Sequence, residues 1–514
     1  MVLSAGSVEM VPDRAAASVA DLVRLRAAVA CDDVYLQAAG GGCTVTYGEL
    51  DAMAGRWSAA LDELGVGPGG VVAIVWSDPV ELAAVILAAL AAGRAAAPFD
   101  HSATDAELRA ACSRTSPEVV ISDRPAPESA GAQWITMMPG EGFLTGSPAP
   151  GALRAAGTAG IVLSTSGTTG LPKVIRLHER QLLHTATSVA RHFELTPSDR
   201  CFNALPLFHI NAEVVGLLAT LASGAAIVLD DRFHRRGFWA AMTRQRITWI
   251  NAVPAILARL ALLETGERVP GGVRFARSAS APLPVPVLER FERTTRIPVV
   301  ETYGMTEASS QITANPLRGG RKAGSVGLPV GCEVRVVTSA RAGAEPGVVG
   351  KVEIRGPGII GAYVSPGYED RIDTEGWLDT GDLGHLDEAG YLFLAGRADD
   401  LINRGGEKIY PREVEDAILA DPAVSAVVVI GGKHDVLGQV PVAYLVAENV
   451  DGIADADLAG ALLARVHDRC AEVLSRPKRP AAYHLVDRLP QGPTGKVRRN
   501  ALPEMVAIHS LVVS

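Results

Sequence analysis

The sequence predicts an α/β protein, with a large N-terminal domain of helix-covered sheets that passes into a distorted β-barrel, and a small C-terminal α/β domain. Between residues 18 and 301, short apolar runs of strand length alternate with longer helical stretches, the pattern of a parallel sheet covered by helices. Past residue 325 the pattern changes to short strands split by Gly and Pro. The charged, turn-prone Gly396-Arg397-Ala398-Asp399-Asp400 then breaks the chain, and a compact α/β unit follows it. A chain of 514 residues is also too long for one core. The expected division is 1–396 for the N-terminal domain, 397–400 for a hinge and 401–514 for the C-terminal domain.

A helical pattern over 18–29 leads into a short Gly cluster. Thr46-Tyr47-Gly48-Glu49-Leu50 starts a helix that the Gly/Pro run at 65–69 stops. A strand at 71–75 precedes an Ala-rich apolar helix at 81–92, which is too short to span a bilayer. Strands at 95–99 and 119–121 flank a polar helix that begins at Asp105. Residues 122–157 are rich in Pro, Gly and Ser and read as a long connection. The run at 160–163 reads as a buried strand that ends in a polar loop. Helices follow at 179–192 and 239–246, with strands at 225–229, 247–253, 273–277 and 297–301. The β-rich part holds strands at 333–337, 350–354 and 390–394. The final unit holds a helix at 411–419, strands at 424–430 and 440–446, and a helix at 457–474.

Composition narrows the function. The net charge is −9, so a nucleic acid or an anionic membrane would need a local basic patch, and neither is expected as a partner. The six cysteines are scattered with no Cys-x-x-Cys spacing, which suggests neither a zinc site nor a disulfide framework. Reduced thiols and the lack of a basic-then-apolar leader point to a cytoplasmic protein.

Chemistry concentrates in five stretches. Ser164-Thr165-Ser166-Gly167-Thr168-Thr169-Gly170-Leu171-Pro172-Lys173 follows a strand and gathers hydroxyls, glycines and a lysine. Hydroxyls and the N–H groups of a Gly-rich turn converge well on phosphate oxygens. It is not a Walker loop, because no Lys-Ser or Lys-Thr opens a helix after it. Glu301-Thr302-Tyr303-Gly304-Met305-Thr306-Glu307 offers an aromatic for a base, a hydroxyl for phosphate and a carboxylate for Mg2+, which prefers oxygen ligands. Thr380-Gly381-Asp382 offers a carboxylate for ribose hydroxyls. Gly396-Arg397-Ala398-Asp399-Asp400 and Pro493-Thr494-Gly495-Lys496 complete the set. Taken singly, each reads as an ordinary loop, strand end or turn.

In this order the five stretches resemble the adenylate-forming superfamily, which includes acyl-CoA synthetases, aryl-CoA ligases, firefly-type luciferases and the adenylation domains of peptide synthetases. The resemblance spans about residues 20–503. It implies a small C-terminal domain that is mobile about a hinge at Asp399. It implies that Thr165, Ser166, Gly167, Thr168, Thr169, Gly170 and Lys173 grip the β- and γ-phosphates of ATP. Glu301, Thr302, Tyr303 and Gly304 would line the nucleotide, with Tyr303 at adenine. Thr306 would meet the α-phosphate and Glu307 would hold Mg2+. Asp382, helped by Arg397, would hold the ribose, and Lys496 would bridge the substrate carboxylate and the α-phosphate. Asn403, Gly405, Gly406 and Lys408 fall on the loop that serves the second half-reaction with coenzyme A. His209 matches a residue that gates the acyl pocket and the thiol tunnel.

The acyl pocket implied by the resemblance comprises His209, Trp249, Asn251, Ser278, Ser280, Ala281, Gly304 and Met305. The run from Arg277 to Pro282 is similar to that of ligases for short or dicarboxylic acids such as oxalate. Arg277 reads equally as a pocket residue or as a structural ion-pair partner. Phe208-His209 lacks the Asp that amino-acid-activating relatives place nearby, which argues against that substrate class. Two departures stand out: Val174 replaces the usual glycine after Pro172-Lys173, and the stretch 363–377 is short. Three readings follow. The favoured one is an AMP-forming acyl-CoA ligase that uses ATP, Mg2+ and CoA on a carboxylic acid. The others are an enzyme of one half-reaction only, which leaves a separate carrier protein open as acceptor, and a non-catalytic nucleotide-binding protein. The oligomeric state is not encoded in any of these motifs.

Overall fold

Apolar runs of four or five residues between turns form strands buried on both faces, as parallel sheets require. The computed structural model describes residues 2–3, 18–128, 131–143, 158–165, 173–338, 343–364, 369–448, 456–490 and 497–513. Its first sheet has the strand order Gln133–Thr136, Val119–Ser122, Val71–Val75, Ala95–Pro98, Gly160–Thr165, Lys173–His178. All pairs are parallel except the last, a hairpin in which Thr165 lies opposite Lys173. The second sheet runs through Val299–Met305, Phe275–Ser278, Trp249–Ala252, Arg200–Asn203, Ala226–Leu229 and Val34–Ala38, all parallel, with short antiparallel strands at both edges.

A helical layer joins the two sheets. The helix Pro79–Ala91 is apolar on every side and almost wholly buried, as such a pattern demands. Together with Tyr47–Glu63 and Glu179–His192 it shares one apolar cluster with Ile74 and Ile161 of the first sheet and Ile227 and Trp249 of the second. Side-chain caps set the helix starts: Thr46 and Glu49 form a capping box, and Asp78 accepts from the N–H groups of Val80 and Glu81.

The β-rich part expected as a distorted barrel is a five-stranded antiparallel sheet that includes Glu333–Val337, Gly350–Arg355, Leu378–Leu386 and Leu392–Arg397. The C-terminal part has its own sheet, in which Val424–His434 and Gly438–Ala447 pair over ten positions, and its own apolar cluster under the helices Pro411–Leu419 and Ala456–Val473. Among the described residues no helix is long and apolar enough to cross a membrane, and all six cysteines are free thiols.

Several elements differ from the sequence reading. The connection 122–157 contains a strand, Gln133–Thr136, which lies at a sheet edge and needs no apolar run. The loop at 164–173 is a hairpin connection, because Lys173–His178 is a strand. Val174 fits that strand: it lies opposite Ser164 and is buried beside Val75, Val120 and Val162. The turn read at 380–382 belongs to a nine-residue strand, Leu378–Leu386, whose alternating burial is masked because Thr380, Asp382 and Gly384 take buried positions. Val174→Gly should therefore lower the unfolding free energy read from urea titration by about 2–3 kcal/mol, for the lost side chain and the freer backbone.

Candidate active site

Parallel strands leave their C-terminal ends open for ligands, and here those ends carry most of the predicted residues. Val299–Met305 outruns its neighbours. Beyond Glu301 it leaves the parallel sheet and pairs antiparallel with Ser310–Ala314, with an irregularity between Tyr303 and Gly304. A Cβ on Gly304 would lie 1.5 Å from the Ser310 carbonyl oxygen, so only glycine allows this approach. The chain then makes a 3-10 turn, Thr306–Ala308, and reverses through Ser309 and Ser310, both at positive φ. This tight reversal holds Tyr303, Thr306 and Glu307 at one sheet end.

Each of these residues meets a partner from elsewhere. The Tyr303 hydroxyl donates to Asp382, and Arg397 lies 3.3 Å from the other Asp382 oxygen. Asp382 and Arg397 are register partners on adjacent strands. Burial, then the neighbouring Asp382, pushes the Tyr303 phenol well up. Tyr363 donates to Glu307 at 3.2 Å, and the buried Lys173 ammonium sits 5.3 Å over the Tyr363 ring. Burial pushes the Lys173 pKa down and Glu307 pulls it back, with Arg371, Arg397 and Asp399 also in range. The structure thus brings together Lys173, Tyr303, Thr306, Glu307, Asp382, Arg397 and Asp399. Glu301 is buried beneath them, accepts from the Leu283 N–H and faces Arg412 and Asp416 of the helix Pro411–Leu419. The Thr302 hydroxyl is spent on the Ser278 carbonyl.

The acyl-side residues form a second group. Asn203, Asn251 and Arg277 are register partners on three adjacent strands and make a buried polar row. Arg277 donates to the side-chain oxygens of Asn211 (2.8 Å), Asn251 (3.0 Å) and Gln311 (3.2 Å). Burial pushes its pKa down to about 9. No carboxylate among the described residues pairs with it, so the ion-pair reading of Arg277 is corrected. Ser280 is exposed at φ +71°, a strained conformation, and accepts from Asn211 at 3.2 Å. Ser278 is buried and Ala281 exposed beside it, with Met305 half-buried. His209 packs edge-on against Phe208 just before a π-helical segment, Asn211–Leu218, a form common at functional sites.

Trp249 is a further correction. It is fully buried and stacked on Phe275 at 5.5 Å, beside Phe193, so it belongs to the aromatic core. Asn403 and Lys408 lie opposite each other in an exposed hairpin that turns through Gly405 and Gly406, both at positive φ. They face solvent, apart from the other site residues. Ser166, Gly167, Thr168, Thr169, Gly170 and Lys496 lie outside the described residues. Sequence reasoning missed Tyr363, Asn211 and Gln311. Asn211 follows His209 by two positions, which was the one available signal.

Comparison with known proteins gives a consistent assignment. The family model for the AMP-binding enzyme matches residues 23–364, and that for the AMP-binding enzyme C-terminal domain matches residues 413–496. The chain is 35% identical over 500 residues to a sulfoacetate–CoA ligase of Cupriavidus necator, covering 94% of this chain and 96% of the relative. It is 32% identical over 501 residues to an oxalate–CoA ligase of Arabidopsis thaliana, covering 92% and 94%. Among solved structures, ATP-bound MatB from Rhodopseudomonas palustris superposes with a TM-score of 0.85 at 29% identity, covering 94% of this chain and 98% of the other. The o-succinylbenzoate CoA synthetase of Bacillus subtilis with its acyl-adenylate intermediate superposes with a TM-score of 0.82 at 30% identity, covering 95% and 98%.

Burial pushes the Glu301 carboxyl up to about 7, with Arg412 pulling it back. A carboxyl raised in the folded state favours folding fully below its unfolded pKa, and that contribution is lost as pH rises through the folded one. Glu301→Gln removes the effect and keeps an oxygen for the Leu283 N–H. The melting temperature of the variant minus that of the wild type should rise by roughly 2–5 °C between about pH 5 and about pH 8. A flat difference would place the titration elsewhere.

Proposed function

Since the chain belongs to the AMP-binding enzyme family, we propose that it is an AMP-forming acyl-CoA ligase that converts a carboxylic acid to an acyl-adenylate with ATP and passes the acyl group to CoA. One observation carries the reading: Lys173, Glu307, Asp382, Arg397 and Asp399, from four separate stretches of chain, converge at one sheet end. The relatives named for CoA ligation agree with it.

A carboxylate is a poor acylating agent because expelling its oxygen is unfavourable. In the first half-reaction its oxygen attacks the α-phosphorus of ATP, and the bond to pyrophosphate breaks. Charge spreads over the phosphoryl oxygens, so aligned donors and cations lower the barrier. Lys173 and the loop 166–170 serve the leaving pyrophosphate, Thr306 the α-phosphate, and Lys496 both the α-phosphate and the entering carboxylate. Tyr303 lies against the adenine, while Asp382, oriented by Arg397, takes the ribose hydroxyls. Glu307 suits Mg2+, since it presents a carboxylate oxygen already fixed by the Tyr363 hydroxyl in an oxygen-rich site. When bound there, Mg2+ neutralises developing phosphate charge.

In the second half-reaction the CoA sulfur attacks the acyl carbon and AMP leaves. That step needs a different protein surface at the same carbonyl. The hairpin with Asn403, Gly405, Gly406 and Lys408 supplies it when the C-terminal part turns about Asp399. Asp399 suits that role, for it lies in a turn between the strands Leu392–Arg397 and Ile402–Arg404. His209, half-buried at the acyl side, gates the approach of the thiol.

Two assays test the reading. Pyrophosphate exchange across a panel of acids reports adenylation, and thioester formation from a supplied acyl-adenylate reports the second step. Active thioester formation with no exchange for any acid would sink the two-step reading. Lys496→Ala should lower adenylation by about a hundredfold or more, the scale of a lost oxyanion donor, and spare thiolysis of the supplied adenylate. Equal loss in both halves would refute the role given to Lys496.

A further inference from the structure

Arg277 is a buried cation that the protein does not neutralise. A guanidinium carries five N–H donors. Three meet neutral amide oxygens: Nε meets Gln311, and Nη1 meets both Asn211 and Asn251. The two on Nη2 find no acceptor among the described residues, yet Nη2 is not one of the atoms sealed from solvent. The amides are themselves oriented. Asn251 donates to Asn203 at 3.0 Å, and Asn211 donates to Ser280 at 3.2 Å, so their oxygens are turned toward Arg277. These dipoles satisfy hydrogen bonds without cancelling the charge.

An uncompensated buried charge is costly. The other fully buried arginine among the described residues, Arg94, pairs with Asp62. Among the described residues no buried acid pairs with Arg277. Glu213, two residues beyond Asn211, is pushed well up by burial, and neither of its oxygens has a hydrogen-bond partner. Glu301 accepts from Leu283, and Glu307 from Tyr363. The missing countercharge therefore arrives with the ligand. It cannot be the reacting carboxylate, which becomes a neutral acyl group. Ser280, exposed at the strand tip, leads through Asn211 to Arg277 in two hydrogen bonds, and marks the route inward.

We propose that Arg277 determines acid specificity by pairing through Nη2 with a second anionic group on the substrate, either a carboxylate or a sulfonate. This rests on the ligase reading above and names its substrate class.

Matched pairs decide it in the full-length wild type: propionate against malonate, butyrate against succinate, and propionate against sulfoacetate, each by pyrophosphate exchange. At least one doubly charged acid should exceed its partner in kcat/KM by about a hundredfold or more, the scale for a buried charge pair. The pair that shows this separates carboxylate from sulfonate. Arg277→Gln should bring the ratio near unity, chiefly through KM. Asn211→Asp supplies the guanidinium with an internal countercharge and should also abolish the preference while keeping the wild-type melting temperature or raising it. Wild-type ratios near or below unity in every pair, with exchange present, would overturn this proposal and leave the ligase reading standing. Ratios that survive in folded forms of both variants would overturn it too. No exchange with any acid would remove both.

Discussion

The close approach of Gly304 to the Ser310 carbonyl is the constraint on which the nucleotide side depends. A parallel sheet ends in a row of strand tips, and side chains there normally point along diverging loops. Here one strand continues, folds back on Ser310–Ala314 and stays hydrogen-bonded as it turns. Backbone pairing on both sides of the reversal fixes Tyr303, Thr306 and Glu307 without help from a ligand. Asp382 and Arg397 come from another sheet, yet they meet Tyr303 through a hydroxyl–carboxylate bond. A rigid first element lets a distant second element be positioned by one strong polar contact, because charge-assisted hydrogen bonds are the stronger kind.

The acyl side follows a different principle. Three polar residues at one register level interrupt strands that are otherwise largely apolar. Such a row lowers stability unless each group is satisfied. Asn203, Asn211 and Asn251 are hydrogen-bonded together, and Asn211, Asn251 and Gln311 accept from Arg277, but all are neutral. The two arginines buried to the same degree therefore differ in kind. Arg94 is tied to a carboxylate and to backbone carbonyls, which suits a structural brace. Arg277 keeps its charge and two donors in reserve.

Much of this was legible in the sequence. Helices with long apolar faces and strands buried on both sides fell where periodicity placed them, as at 71–75 and 411–419. The motif order carried the nucleotide side, because each motif contributes a polar group that the fold needs at one point. Edge and hairpin strands were hidden, since Gln133–Thr136 and Lys173–His178 owe their state to a neighbour and not to their own pattern. Trp249 was misplaced because an aromatic at a strand end serves a core or a pocket equally well in sequence. Only its stacking on Phe275 separates the two. Arg277 was ambiguous for the same reason: its meaning lies in what does not surround it.

The contacts between the large and small parts bear on the turning proposed about Asp399. Arg290 pairs with Glu448 at 2.9 Å, and Glu301 faces Arg412 and Asp416. Arg499, beyond the hinge, pairs with Asp400 within it at 3.3 Å. The two ion pairs are partly solvated, each worth little in isolation. Water replaces them readily when the parts separate, whereas a broad apolar seam would expose its surface at a steep cost. An interface built this way holds one arrangement well enough for the first half-reaction and releases it without a large barrier, as a reaction in two geometries requires.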